Sequence, residues 1–167
     1  MVASMKNDAA AAEWPRTTVK GKLSAKASRA IADVCRPDEA PWLILTSFGG
    51  AGTLVGFDDR LVILKTGGLT SLMAGSFGGQ RQATFQYDDI TGIEYNSGMV
   101  NGVLEILTPS YQGTVHKDFW RGAAKSRNAD SGDPWTLSNC LPLAKPEYRA
   151  ALAEINELQA RVSASRR

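Results

Sequence analysis

Histidine is almost absent. His116 is the only one in 167 residues, so a Ser-His-Asp or Cys-His arrangement would have to be built on it, with Cys35 or Cys140 as nucleophile and Asp118 as orienter. Nothing in the spacing favours that, and His116 reads as a loop or strand residue facing water. Cysteine is nearly as scarce. Cys35 and Cys140 stand alone without CxxC spacing, which gives neither a zinc knuckle nor a redox motif and reads as two reduced thiols. No apolar run reaches the roughly 18 residues of a membrane-spanning helix. Lys6 and Asp8 interrupt the stretch where a secretory signal needs continuous apolar residues, so the expected location is the cytoplasm.

A strong charge of either sign is missing too. The net charge is +2, with Lys and Arg against Asp and Glu at 7 to 5 over residues 1–40, 3 to 6 over 41–108 and 9 to 6 over 109–167. A mildly acidic centre between mildly basic ends lacks the field that duplex binding needs, so nucleic acid is not an expected partner. What is present is ordinary globular material, 43% hydrophobic and 22% charged, in a length that fits one domain with a real core.

Residues 1–20 are alanine-rich and polar without a sustained period and read as a flexible N-terminal arm; the domain proper is expected over 21–165. Leu23, Ala27, Ala30, Ile31 and Val34 then recur at helical spacing up to Arg36-Pro37, predicting a short amphipathic helix. Residues 40–48 form an apolar run of strand length that ends at Gly49-Gly-Ala-Gly52. Thr53 to Phe57 and Arg60 to Lys65 predict a hairpin turning at Asp58-Asp59. Ala83 to Tyr87, with Phe85 and Tyr87 on one face, leads through Asp88-Asp89 into a strand from Ile90 to Tyr95. Asn96-Ser97-Gly98 predicts a turn before Val103 to Leu107. A short strand near Val115 to Trp120 and a last one within Trp135 to Leu141 complete the set. From Lys145-Pro146 a helix is expected, with Tyr148, Leu152, Ile155, Leu158 and Val162 as its apolar stripe and Arg149, Glu154, Glu157 and Arg161 facing water.

Few residues suggest chemistry. The carboxylate pairs Asp58-Asp59 and Asp88-Asp89 each sit at a turn signal, and adjacent strand residues point to opposite faces, so they read as turn formers. Gly49 to Gly52 and Gly75 to Gly79 lack the Gly-Lys-Ser/Thr ending of a phosphate loop and read as turns needing positive φ. Two segments stand out as contact surfaces. In the glycine frame 66–79, Leu72, Met73 and Phe77 either tuck into the core or meet a partner or membrane. In the long irregular stretch 109–134, Lys117, Phe119, Trp120, Arg121, Lys125 and Arg127 interleave cations with aromatics, which suits an anionic partner, although the aromatics serve equally well as buried anchors.

Gly56-Phe-Asp-Asp-Arg-Leu-Val-Ile-Leu, Tyr87-Asp-Asp-Ile-Thr-Gly-Ile-Glu and Gly102-Val-Leu-Glu-Ile-Leu together resemble strands and acidic turns of bacterial pleckstrin-homology-like (PH-like, YokE-like) domains, over roughly residues 38–160. The resemblance implies an α+β fold: a partly open antiparallel β-barrel of two packed sheets, about seven strands, capped by a C-terminal helix and preceded by a short N-terminal one. It implies a non-enzymatic binding or assembly module, with no catalytic residues, metal or cofactor and no evident small-molecule substrate. The expected partner is a second copy of the chain or another protein; the alternative is an anionic membrane lipid held by the 117–127 loop. Relatives that hold phosphoinositides carry several cations between their first two strands, whereas Ser47 to Gly52 has none.

Overall fold

The three-dimensional structure is a computed structural model that describes residues 13–65, 80–111 and 137–167. The architecture is α+β, with two sheets and a C-terminal helix. The larger sheet runs in the order β1 (Thr18–Lys20), β2 (Leu43–Thr46), β3 (Thr53–Gly56), β4 (Arg60–Lys65) and β5 (Arg81–Gln86). The smaller comprises β6 (Gly92–Ser97), β7 (Gly102–Leu107) and β8 (Cys140–Pro142). A turn of 3₁₀ helix at Tyr87–Asp89 carries the chain from one sheet to the other. Among the described residues β5 and β6 therefore each pair on one side only, and the two sheets do not close into the expected barrel.

Two further expectations are corrected at the N-terminal end. Residues 1–12 lie outside the described residues, but from Trp14 onward the expected arm is part of the fold: Trp14 is 6% exposed, and Thr18, Val19 and Lys20 pair in parallel with Leu43, Ile44 and Leu45. That pairing adds a strand to those expected and makes the larger sheet mixed rather than antiparallel. The cause lies in β2, β3 and β4, whose residues are buried on both faces. Strands of that kind need a layer on each side. One face presents Leu43, Leu45, Leu54, Leu61 and Ile63 to the smaller sheet and the C-terminal helix. The other presents Ile44, Val55, Phe57, Val62 and Leu64 to Trp14, Leu23, Ala27, Ala30 and Ile31.

The covering helix α1 (Ala25–Val34) forms as expected, its N-terminus capped by Ser24, whose hydroxyl accepts from the Ala27 amide at 3.1 Å. Gly21 joins it to β1 at φ +86, and a Cβ there would run into the Thr46 carbonyl, so only glycine lets the chain turn this close to β2. At the C-terminus α2 (Lys145–Ala150) and α3 (Leu152–Ser165) meet at Ala151. Ile155, Leu158 and Val162 of the expected stripe are buried together with Ala151, while Leu152 is 40% exposed. Tyr148 stacks face to face on Tyr95, with 3.8 Å between centroids, fastening α2 to β6.

Candidate functional site

Every residue singled out from sequence as a contact candidate falls outside the described residues: Leu72, Met73 and Phe77 in 66–79, and Lys117, Phe119, Trp120, Arg121, Lys125 and Arg127 in 112–136. His116 does too. The described residues offer three other features, two of them buried polar clusters and one an open sheet edge.

The first cluster centres on Arg60, 5% exposed. Its guanidinium donates to both oxygens of Glu39 at 2.7 Å, to Asp59 at 2.9 Å and to the Val34 carbonyl at 3.1 Å, and lies 4.0 Å over the Phe57 ring. Arg36 adds a second cation on Asp59 at 2.7 Å. The hydrogen bonds from Arg60 hold the Glu39 carboxyl below its ordinary range. Burial alone would raise Asp59, but Arg36 and Arg60 together bring it down. The partners bond one another across three segments, with the Arg36 and Asp59 side chains 56% and 47% exposed at the outer end, so this is a clasp: it ties the end of α1 and the 35–42 connection to the β3–β4 turn. The reading of Asp58-Asp59 as a turn holds, and Asp59 has this additional role, invisible locally because Arg36 is 23 residues away.

The second cluster joins Lys65, Glu105, Asn139 and Cys140, all essentially without solvent exposure. The Asn139 amide donates to Glu105 at 3.3 Å and to the Ile106 carbonyl at 3.1 Å. Burial pushes the Cys140 thiol up to about 12, Glu105 adding to the rise and Lys65 opposing it. Burial likewise raises Cys35, with Glu39 next to it in effect. Thiols held protonated in this way are poor nucleophiles at neutral pH. Both are free rather than bridged, and among the described residues no three of His, Cys, Asp and Glu gather to hold a metal ion.

The third feature is the outer edge of β5. The Tyr87 amide donates to the Asp59 carbonyl and the Phe57 amide to the Arg60 carbonyl, and β5 pairs with β4 from Arg60↔Gln86 to Lys65↔Arg81. Antiparallel alternation then assigns the rest: Arg81, Ala83 and Phe85 direct their backbone groups at β4, while Gln82, Thr84 and Gln86 direct theirs outward. Among the described residues no strand pairs with β5 on that side. The side chains of Gln82, Thr84 and Gln86 are exposed on the outer face, and Phe85 and Tyr87 are buried on the inner one.

Natural edge strands are blunted by shortness, by proline or by charges along their length. β1 and β8 are three residues each. β6 carries Glu94 in mid-strand and has α2 fastened to it through Tyr95. β5 is six residues long and has neither proline nor charge between Gln82 and Gln86. The alternation of Gln82, Thr84 and Gln86 with apolar residues was readable in sequence, but which strand lies at an edge depends on pairing between distant segments. One smaller exposed feature accompanies it: the β6–β7 turn presents Met99, 94% exposed, and Val100. Among the described residues no helix is long and apolar enough to cross a membrane. Compared with protein-family models, with curated proteins and with solved structures, the chain matches none.

Proposed function

We propose that this chain is a PH-like, non-enzymatic binding and assembly module of the cytoplasm, which takes a protein partner by strand addition at β5. The observation that carries the reading is the six-residue β5 edge, whose outward backbone groups at Gln82, Thr84 and Gln86 are flanked by uncharged side chains. Main-chain hydrogen bonds to such an edge supply affinity without a pocket. The PH-like part of the reading is supported by the element order, in which a meander passes through an acidic 3₁₀ turn into a second sheet and ends in a helix packed on that turn. The free thiols suit a reducing compartment. Both buried polar clusters are satisfied internally and serve packing.

Thr84→Pro tests this on the full chain. Its amide points away from β4, so proline there removes an edge donor and leaves the β4–β5 ladder intact. The expected result is an oligomeric wild type by light scattering and a monomeric variant with an unchanged circular dichroism spectrum. Equal masses for the two proteins overturn edge-mediated assembly. So does a monomeric wild type that instead pellets with anionic vesicles in a salt-sensitive way, the outcome expected of a lipid-binding 117–127 loop.

A further inference from the structure

The β5 edge also constrains what its partner is. Resting on the assembly reading, we propose that the strand added to β5 is β5 of a second copy, antiparallel and centred on Thr84 across a two-fold axis. The strand has opposite charges at its two ends: Arg81 at its start, and Asp88 and Asp89 just past its finish, all exposed. Parallel pairing of two copies would set Arg81 beside Arg81 and the aspartates beside aspartates. Antiparallel pairing sets Arg81 of each copy against the acidic end of the other, at both ends of the seam.

Register follows from the backbone. Only Gln82, Thr84 and Gln86 direct hydrogen-bonding groups outward, so a self-pairing must match these residues with one another. Centring on Thr84 engages all of them: Thr84 opposes Thr84 of the partner, and Gln82 opposes Gln86 of the partner. On the inner face the same register sets small Ala83 against large Phe85 of the partner, continuing the buried layer without a clash of two rings. On the outer face it lines up uncharged glutamine and threonine side chains. The two larger sheets then become one continuous sheet, and the edge on each copy disappears.

The test is a charge exchange on the full chain, read as dissociation constants by sedimentation, with unfolding midpoints confirming the fold. Arg81→Glu alone, and Asp88→Lys combined with Asp89→Lys alone, each put like charges at both ends and should weaken self-association about tenfold. An equimolar mixture of the two variants restores opposite charges at both ends and should form a mixed dimer at least as tight as wild type. Thr84→Cys in a Cys35→Ser background supplies a second reading: directly opposed hydrogen-bonded residues lie about 5.5 Å apart between Cα atoms, within disulfide reach, so mild oxidation should cross-link this variant to itself. A mixture no tighter than its components, or a Thr84→Cys variant that stays uncross-linked, overturns the two-fold pairing. If Thr84→Pro still abolishes assembly in that case, the edge-assembly reading stands and only the symmetry falls; a wild type that never leaves the monomer removes both.

Discussion

Deleting residues 1–35 should leave the remaining chain unfolded or aggregated, although it removes no strand of the β2–β5 meander. The cut strips Trp14, Leu23, Ala27, Ala30 and Ile31 from one face of the larger sheet and exposes Ile44, Val55, Phe57, Val62 and Leu64. At about 1.5–3 kcal/mol for each fully buried side chain, the loss is on the order of 10 kcal/mol, as large as the whole stability of an ordinary domain. An exposed stripe of aliphatic strand residues is in addition an aggregation surface. A milder version keeps the chain whole: Ile31→Ala, at a position with no exposure, should cost about 2–5 kcal/mol. Chemical unfolding measures both. If the deletion variant is monodisperse and unfolds cooperatively near the wild-type midpoint, α1 is a decoration and the three-layer description is wrong.

Arg60→Ala should cost about 3 kcal/mol. Removing one member of a buried ionic group leaves the others desolvated without compensation, typically at about 3–5 kcal/mol, and the lower end applies because the Glu39 side chain is still 19% exposed and can rehydrate. Arg60→Lys should recover only part of the loss, since an ammonium cannot reproduce the paired hydrogen bonds to Glu39 or lie as flat on Phe57. The clasp also has a pH signature. Glu39 is held below its ordinary 4.5 in the folded protein, so the unfolded chain binds more protons in the interval between the two values and stability rises with pH there. The contribution is complete above the unfolded value and disappears as pH falls through the folded one. The gap between wild type and Arg60→Ala should therefore narrow below about pH 4. A gap that stays constant from neutral pH into the acid range contradicts the ionic origin of the effect.

Local signals were legible where local physics decides. The spacing from Leu23 to Val34 marked α1, the acidic pairs marked turns, and Gly49 and Gly50 both sit at φ +73 as their frame required. What failed were statements about who covers what. Trp14 has no periodic neighbours, so the segment read as an arm; it is buried because a parallel pairing with β2 brings it across a sheet face. Leu152 fits the helical stripe with Ile155, Leu158 and Val162, which are buried as expected, but it is itself 40% exposed, and Ala151 takes the buried position before Ile155. Arg161 read as water-facing, yet its guanidinium lies 4.3 Å over the Trp42 ring and its side chain bonds Asp58 at 3.3 Å, a partner 103 positions away. The candidate site followed the same rule. Residue types drew attention to Leu72, Met73, Phe77 and the 117–127 segment, outside the described residues, whereas the β5 edge has no unusual residue at all and is defined by the lack, among the described residues, of a strand paired with its outer side.

Backbone amide exchange at Gln82, Thr84 and Gln86 probes the proposed assembly most directly, because these N–H groups point away from β4, on a side where no strand pairs with β5 among the described residues. In the full-length protein their exchange should be slowed at high concentration and should speed up on dilution, while the amides of Ala83 and Phe85, bonded within the sheet, stay protected throughout. Exchange at the rate of an exposed amide at every concentration, with Ala83 and Phe85 still protected, would contradict assembly through this edge.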